Sequence, residues 1–130
     1  MKPVILIPTY NESIAIVELL NSLSTLHKKR DFDVVVLDDN SPDKTADIVD
    51  SMNLPWVSVL RRPGKAGLGA AYRAGFAHVL PMKKYSKIVT MDADGSHRVA
   101  DLPAMMDATD APISITLGTR WMPGGSVVNW

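Results

Sequence analysis

Ile88-Val89-Thr90-Met91-Asp92-Ala93-Asp94-Gly95-Ser96-His97 is a β-branched, apolar run that ends in two carboxylates one residue apart and then a glycine. It reads as a buried strand with charge at its tip. Carboxylates so placed can share a hard divalent cation, because Mg²⁺-type ions are held by one or two carboxylates together with the oxygens of a substrate phosphate. The competing reading makes Asp92 a turn cap and Asp94 a solvated side chain.

The same pattern occurs upstream. Residues 32–37, with Val34-Val35-Val36 at their centre, form a second strand tipped by Asp38-Asp39-Asn40-Ser41-Pro42-Asp43. Ser41 as cap and Pro42 as first helical residue predict a helix over 45–52. At the N-terminus, Val4-Ile5-Leu6-Ile7 is a strand ended by Pro8, and residues 8–12 form a loop. From Ser13, taken as N-cap, Ile14, Val17 and Leu20, flanked by Ile16, Leu19, Leu23 and Leu26, recur at helical spacing. That helix ends near His27-Lys28-Lys29-Arg30, cations suited to a helix C-terminus.

Residues 57–60 are a third strand, followed by the basic, glycine-rich loop Arg61-Arg62-Pro63-Gly64-Lys65-Ala66-Gly67-Leu68-Gly69 and a helix over 70–80. Residues 87–91 form the fourth strand, 100–107 a short helix and 113–117 a fifth strand, while 118–130 show no periodicity. Strands alternating with helices predict an α/β fold, a mostly parallel sheet with helices on both faces and right-handed crossovers. Ligands of such sheets bind beyond the carboxyl ends of the strands. Those ends carry Asn11, Glu12, Asp38, Asp39, Arg61 to Lys65, Asp92, Asp94 and Arg120.

The chain has 130 residues, enough for a single domain with a true core. Its 14 basic and 14 acidic residues balance, so no global field argues for nucleic acid. It has no cysteine, which excludes disulfides and thiolate chemistry and fits a reducing compartment. No apolar run approaches the roughly 18 residues of a membrane span, and the opening apolar segment is too short for a signal peptide. These features lead to the expectation of a cytoplasmic or peripheral protein.

Several motifs are set aside on chemical grounds. In the glycine loop, Lys65 is followed by Ala66 rather than Ser or Thr, so it is no Walker loop. Tyr72 stands where a dinucleotide fingerprint needs its third glycine. A basic loop before a helix N-terminus, suited to an anion, is what remains. Asp92 and Asp94 also resemble the first motif of haloacid-dehalogenase-type phosphatases, but no lysine and no adjacent aspartates follow residue 96. His97 is the histidine nearest the acids and enters as a weak candidate beside them.

Read in order, Val4 to Glu12, Asp38 to Asp43, Arg62 to Gly69, Met91-Asp92-Ala93-Asp94 and Gly118-Thr119-Arg120 resemble the inverting family 2 glycosyltransferases of GT-A, Rossmann-like fold. More narrowly they resemble the dolichol-phosphate or polyprenol-phosphate mannose synthases. The resemblance implies transfer of mannose from GDP-mannose to a polyprenyl monophosphate, with inversion. Pro8, Tyr10, Glu12 and Asp39 would hold guanine and ribose, with Asp38 supporting their loop. Asp92 and Asp94 would form the catalytic motif for Mg²⁺ or Mn²⁺ with Ser96 as a further ligand, Ala93 would contact the donor, and Arg120 with Lys65 would face the diphosphate.

Neutralising the departing diphosphate is the electrostatic demand of this chemistry. A monophosphate acceptor, with its second pKa at about 6, is already ionised at neutral pH and needs no dedicated base. Ser96 stands where some relatives carry a metal-contacting glutamine. Lys44 replaces a common glycine, and Arg98-Val99-Ala100-Asp101 replaces a Pro-containing acidic run. The family continues beyond residue 130 into further sheet, acceptor-site arginines and a membrane-surface region.

The chain is therefore expected to be the donor-binding, N-terminal portion of the catalytic domain. In full-length form it would be peripheral to the cytoplasmic face of the membrane, and alone it would be poor at transfer. Alternatives are a UDP-glucose-dependent family 2 enzyme and a donor-binding module without turnover. An unpaired sheet edge at the missing part predicts self-association; light scattering at high concentration should report a mass above the monomer, and a monodisperse monomer contradicts it.

Overall fold

The computed structural model describes residues 1–108 and Thr116. Contacts divide the chain into two compact units, Met1–Val99 and Ala100–Trp130. The first unit holds the strands β1 (Lys2–Thr9), β2 (Asp33–Asp38), β3 (Val57–Arg61) and β4 (Tyr85–Thr90), all parallel in the order β3-β2-β1-β4. Between them run the helices α1 (Ser13–His27), α2 (Thr45–Ser51) and α3 (Leu68–Val79). In the second unit, α4 (Leu102–Ala108) follows a 3-10 turn at Val99–Asp101 and buries Leu102 and Met106, one turn apart. Among the described residues, no helix is long and apolar enough to cross a membrane. The expected strand at 113–117 and the segment 118–130, with Arg120, lie outside the described residues, apart from Thr116.

Strand order fixes where the helices go. The steps β1 to β2 and β2 to β3 move one way across the sheet, while β3 to β4 returns past both to the far side of β1. Right-handed crossovers then put α1 and α2 on one face and α3 on the other. Burial agrees with two covered faces: Val4, Ile5, Leu6 and Ile7 are all inaccessible, as are Val34, Val36 and Leu37. Val4 and Leu6 join Val35, Leu37 and Val79 of α3 in one cluster, flanked by Leu60, Tyr72, Phe76 and Ile88. Their neighbours Ile5, Ile7, Val34 and Val36 point to the opposite face by the alternation of a strand.

The strand β1 does not stop before Pro8 as the sequence suggests, and the reason is positional. Residues of β1 turn their backbone groups alternately to β2 and β4. The Leu6 carbonyl accepts from Met91 and the Thr9 carbonyl from Asp39, so Pro8 faces the β4 side. There the β1–β4 ladder has already ended at Leu6 and Thr90, whereas β1 pairs with β2 as far as Thr9 and Asp38. No ladder bond is lost to the proline, which is what lets a central strand contain it. Pro3 likewise precedes the first β1–β2 pair, at a register shift against β4.

The helix caps differ from expectation. Ser13 is the first residue of α1, whose N-cap is Glu12, and α2 begins after Lys44 in a left-handed conformation (φ 66°) rather than at Ser41. Asp43 takes over both ends. One oxygen accepts from the Thr45 N–H at 3.1 Å and from the Thr45 hydroxyl, and the other from the Ser13 N–H at 3.2 Å. His27, expected only as a helix-end cation, stacks on Trp56 with ring centroids 4.5 Å apart and meets Phe32 edge-on at 5.0 Å.

Helix α3 sits tightly on the sheet at Gly75, where an added Cβ would lie 2.9 Å from Leu37 Cδ1 and 3.0 Å from Leu6 Cδ1. Gly75→Val should therefore destabilise by about 1–3 kcal/mol through overpacking. Gly75→Ala should stay nearer the parent, because helix propensity returns about 1 kcal/mol. Urea denaturation measures both; a valine variant as stable as the parent contradicts the tight contact.

Candidate functional site

The parting of β1 from β4 leaves a notch at the carboxyl end of the sheet. It is the point where strand order reverses, the place open α/β sheets bind ligands. The notch opens into a cleft of about 340 Å³ lined by Pro8, Thr9, Tyr10 and Glu12 from the end of β1, Asp39 from β2, Lys65, Gly67, Leu68 and Ala71 from the β3–α3 loop and α3, and Asp92, Ala93 and Asp94 from β4.

The first wall is the β1–α1 loop, locked onto the β2–α2 loop. The Asn11 N–H donates to Ser41 Oγ at 3.0 Å, the Glu12 N–H to Thr45 Oγ1 at 3.2 Å and the Ser13 N–H to Asp43 Oδ2 at 3.2 Å. Beneath them Asp38, 2% exposed, accepts from the Thr9 hydroxyl at 2.7 Å, the Ser41 N–H at 3.0 Å and the Ser41 hydroxyl at 2.6 Å. Three donors make burial of that carboxylate tolerable. Asp38 thus supports the loop without lining the cleft. Its neighbour Asp39, 6% exposed, accepts from Arg62 Nη1 at 2.7 Å and leaves an edge toward the cleft.

The second wall is basic and rich in backbone donors. Lys65 Nζ lies 4.7 Å from the centroid of the Tyr10 ring, a cation–π contact. Helix α3 starts at Leu68, two residues earlier than expected, after Gly67 at φ 90° with no side-chain cap on its first turn. Uncapped N–H groups at a helix N-terminus beside a lysine suit an anion.

The third wall is the acidic loop. Asp94 Oδ1 accepts from both the N–H (3.0 Å) and the hydroxyl (2.6 Å) of Ser96, and these two bonds hold its pKa below the ordinary carboxylate value. Ser96 therefore acts through Asp94 and does not itself line the cleft. Tyr72 of α3 reaches toward Asp92 Oδ1 at 3.5 Å, and burial, then the Asp92 charge, push its hydroxyl up to about 12. Glu12 closes the ring of acids. Burial chiefly, then the charges of Asp94, Asp92 and Asp43, raise its pKa against the Tyr10 N–H that lowers it.

Among the described residues no three acidic or imidazole side chains form a metal cluster by themselves. The two carboxylates Asp92 and Asp94, on one wall of the cleft, nonetheless fit a divalent cation whose remaining ligands would come from a bound diphosphate and water.

Comparison with known proteins bears directly on this cleft. Residues 4–130 match the model of the glycosyl transferase family 2 domain. The chain belongs to glycosyl transferase family 2.

Among family 2 proteins, it is 41% identical over 132 residues to the polyprenol monophosphomannose synthase of Mycolicibacterium smegmatis, covering 99% of this chain and 49% of that protein. It is 43% identical over 137 residues to the undecaprenyl-phosphate mannosyltransferase of Micrococcus luteus, with 100% of this chain and 53% of that protein covered. A mannosyltransferase from Pyrobaculum calidifontis, solved in complex with GDP-Man and Mn²⁺, shares the fold with a TM-score of 0.68 at 23% identity, over 85% of this chain and 33% of that one. The chain thus spans about half the length of the two relatives from bacteria.

The cleft brings together Pro8, Tyr10, Glu12, Asp39, Lys65, Asp92, Ala93 and Asp94 of the residues singled out from sequence. Arg120 lies outside the described residues. Sequence reasoning missed Thr9, Ala71 and Tyr72, and had Arg62, Gly67 and Leu68 only as members of the basic, glycine-rich loop. Only the helical spacing of Leu68, Ala71 and Tyr72 could have signalled a shared face.

The crowding of acids has a pH signature. A carboxyl whose folded pKa is raised binds protons more tightly in the native state, so stability falls as pH rises from the unfolded value through the folded one, and the loss is complete at neutral pH. Glu12→Gln, which keeps an acceptor for the Tyr10 N–H, should melt above the parent at pH 7, and the difference should vanish below about pH 4. Scanning calorimetry across that range checks it; identical melting at pH 7 rejects a destabilised Glu12 carboxylate.

Proposed function

We propose that the chain is the donor-binding part of a mannosyltransferase that moves mannose from GDP-mannose to a polyprenyl monophosphate with inversion. One observation carries this reading: a single cleft combines the Asp92–Asp94 pair, Lys65 beside the uncapped start of α3, and the Arg62-held edge of Asp39. Diphosphate and nucleoside thus find complementary groups within one ligand's length. The names of the two bacterial relatives support mannose and a polyprenyl phosphate acceptor.

In this reading Asp39, Tyr10, Pro8 and Glu12 hold the nucleoside, Lys65 and the first N–H groups of α3 meet the diphosphate, and Asp92 and Asp94, aided by Ser96, hold Mg²⁺ or Mn²⁺. Neutralisation of the departing diphosphate is the chemistry such a cation supplies when bound. An acceptor phosphate oxygen forms the new bond at the anomeric carbon as the bond to GDP breaks on the opposite side, which inverts that centre. An acceptor phosphate already ionised at neutral pH needs no dedicated base. A polyprenyl acceptor places this work at a membrane surface, on the cytoplasmic side where nucleotide sugars are available.

Isothermal titration with GDP-mannose, GDP and UDP-glucose, with and without Mn²⁺, tests the proposal. Guanosine ligands should bind more tightly than UDP-glucose, and Asp94→Ala should abolish the gain given by Mn²⁺. Preference for UDP-glucose overturns the donor assignment, and an undiminished Mn²⁺ effect in Asp94→Ala overturns the metal assignment.

A further inference from the structure

We propose that His97 is a positioning residue for the Asp92–Asp94 pair, its ring Nδ1 holding the Asp92 N–H so that the acidic loop is shaped for a divalent cation before ligand arrives. The inference rests on the cation-and-diphosphate reading of the cleft. It starts from the last rung of the sheet. Met91 donates to the Leu6 carbonyl at 3.1 Å, and past that point β1 has parted from β4. By the alternation of a strand the next amide, that of Asp92, points away from β1, to the side where β4 is the edge of the described sheet, and there it donates to His97 Nδ1 at 3.0 Å.

That bond closes residues 92–97 into a ring. Inside it Gly95 takes φ 85°, a left-handed turn that brings the chain back, and Ser96 holds Asp94 Oδ1 with its N–H and its hydroxyl. The ties that shape the ring use backbone groups, the imidazole and one oxygen of Asp94. None of them uses the carboxylate of Asp92 or Asp94 Oδ2. An imidazole that accepts at Nδ1 carries its proton at Nε2 when neutral. Nε2 lies 3.8 Å from Asp92 Oδ2, beyond a hydrogen bond.

The bond contributes little to global stability, because His97 is exposed at the rim and water can satisfy the Asp92 N–H in its absence. Its effect lies in orientation: without it the two carboxylates hang on a glycine-containing loop with one fewer fixed point. Groups that orient metal ligands typically change metal affinity by about 10–100-fold when removed.

Counting bonds from Cβ supplies a discriminating variant. An asparagine carbonyl oxygen sits at the same remove as Nδ1, whereas a glutamine oxygen sits at that of Nε2. The experiment measures three quantities on the 130-residue chain and on His97→Ala, His97→Asn and His97→Gln: Mn²⁺ affinity by electron paramagnetic resonance, Mn²⁺-supported GDP binding by calorimetry, and unliganded melting temperature.

Alanine and glutamine should each weaken Mn²⁺ binding about tenfold or more, asparagine should restore it to within a few-fold of the parent, and the melting temperatures should coincide. Hydrogen exchange at the Asp92 amide should be slow in the parent and asparagine chains and fast in the other two. Mn²⁺ affinity unchanged by alanine, asparagine no better than alanine, or affinity lost only in step with melting temperature overturns the proposal. A parent chain that binds Mn²⁺ but not GDP overturns the donor reading instead, while the affinity ranking of the variants still decides the role of His97.

Discussion

The interaction on which the site depends is one that stops: the β1–β4 ladder ends at Leu6 and Thr90 while β1 continues beside β2 for three more residues. Had the two ladders been equal in length, Tyr10 and Asp92 would leave the sheet side by side with no space between them. Because they are unequal, the end of β1 forms one wall, the tip of β4 another, and α3, crossing from β3, supplies the third. Among the described strands, the order β3-β2-β1-β4 places that inequality where consecutive crossovers lie on opposite faces.

Walls made of loops need fixing, and the fixing is done by buried or half-buried polar groups. Asp38 is the centre of it, since its three donors come from β1 and from the loop after β2. Asp43 repeats the principle at the surface by serving two helix starts. Its pKa is lowered chiefly by the Thr45 hydroxyl and then, after a small opposing effect of burial, by Ser13. Rigidity bought in this way lets Glu12, Asp92 and Asp94 stand close despite their mutual repulsion. The raised pKa of Glu12, due first to burial and then to the acids around it, records what that arrangement costs.

Much of this was legible in the residues. Unbroken, β-branched apolar runs such as Val4 to Ile7 and Val34 to Leu37, bounded by turn residues, suit strands buried on both faces, and acids directly after such runs mark the carboxyl ends of a parallel sheet. The helix over 13–27 followed from spacing alone. What the sequence concealed was pairing at a distance. Ser41 before Pro42 has every local mark of a cap, yet Asp38 and Asn11 claim its side chain and amide neighbours, so α2 starts at Thr45. His27 had the local mark of a helix-end charge, but Trp56 and Phe32 enclose it from other elements. Arg62, Tyr72 and His97 are likewise defined by partners 23, 20 and 5 residues away, and only the last is near enough in the chain to have been suspected.

Pro8 gives the cleft a polarity that its list of charged residues does not suggest. It lies where β1 turns its backbone toward the notch, and at that place any other residue would present an N–H. Proline presents a hydrocarbon ring. At that position the notch meets a hydrocarbon ring where another residue would offer a donor, while Lys65 and the uncapped first turn of α3 offer donors on the opposite rim. The backbone of the central strand thus makes the two sides of the cleft chemically unequal before any side chain is consulted.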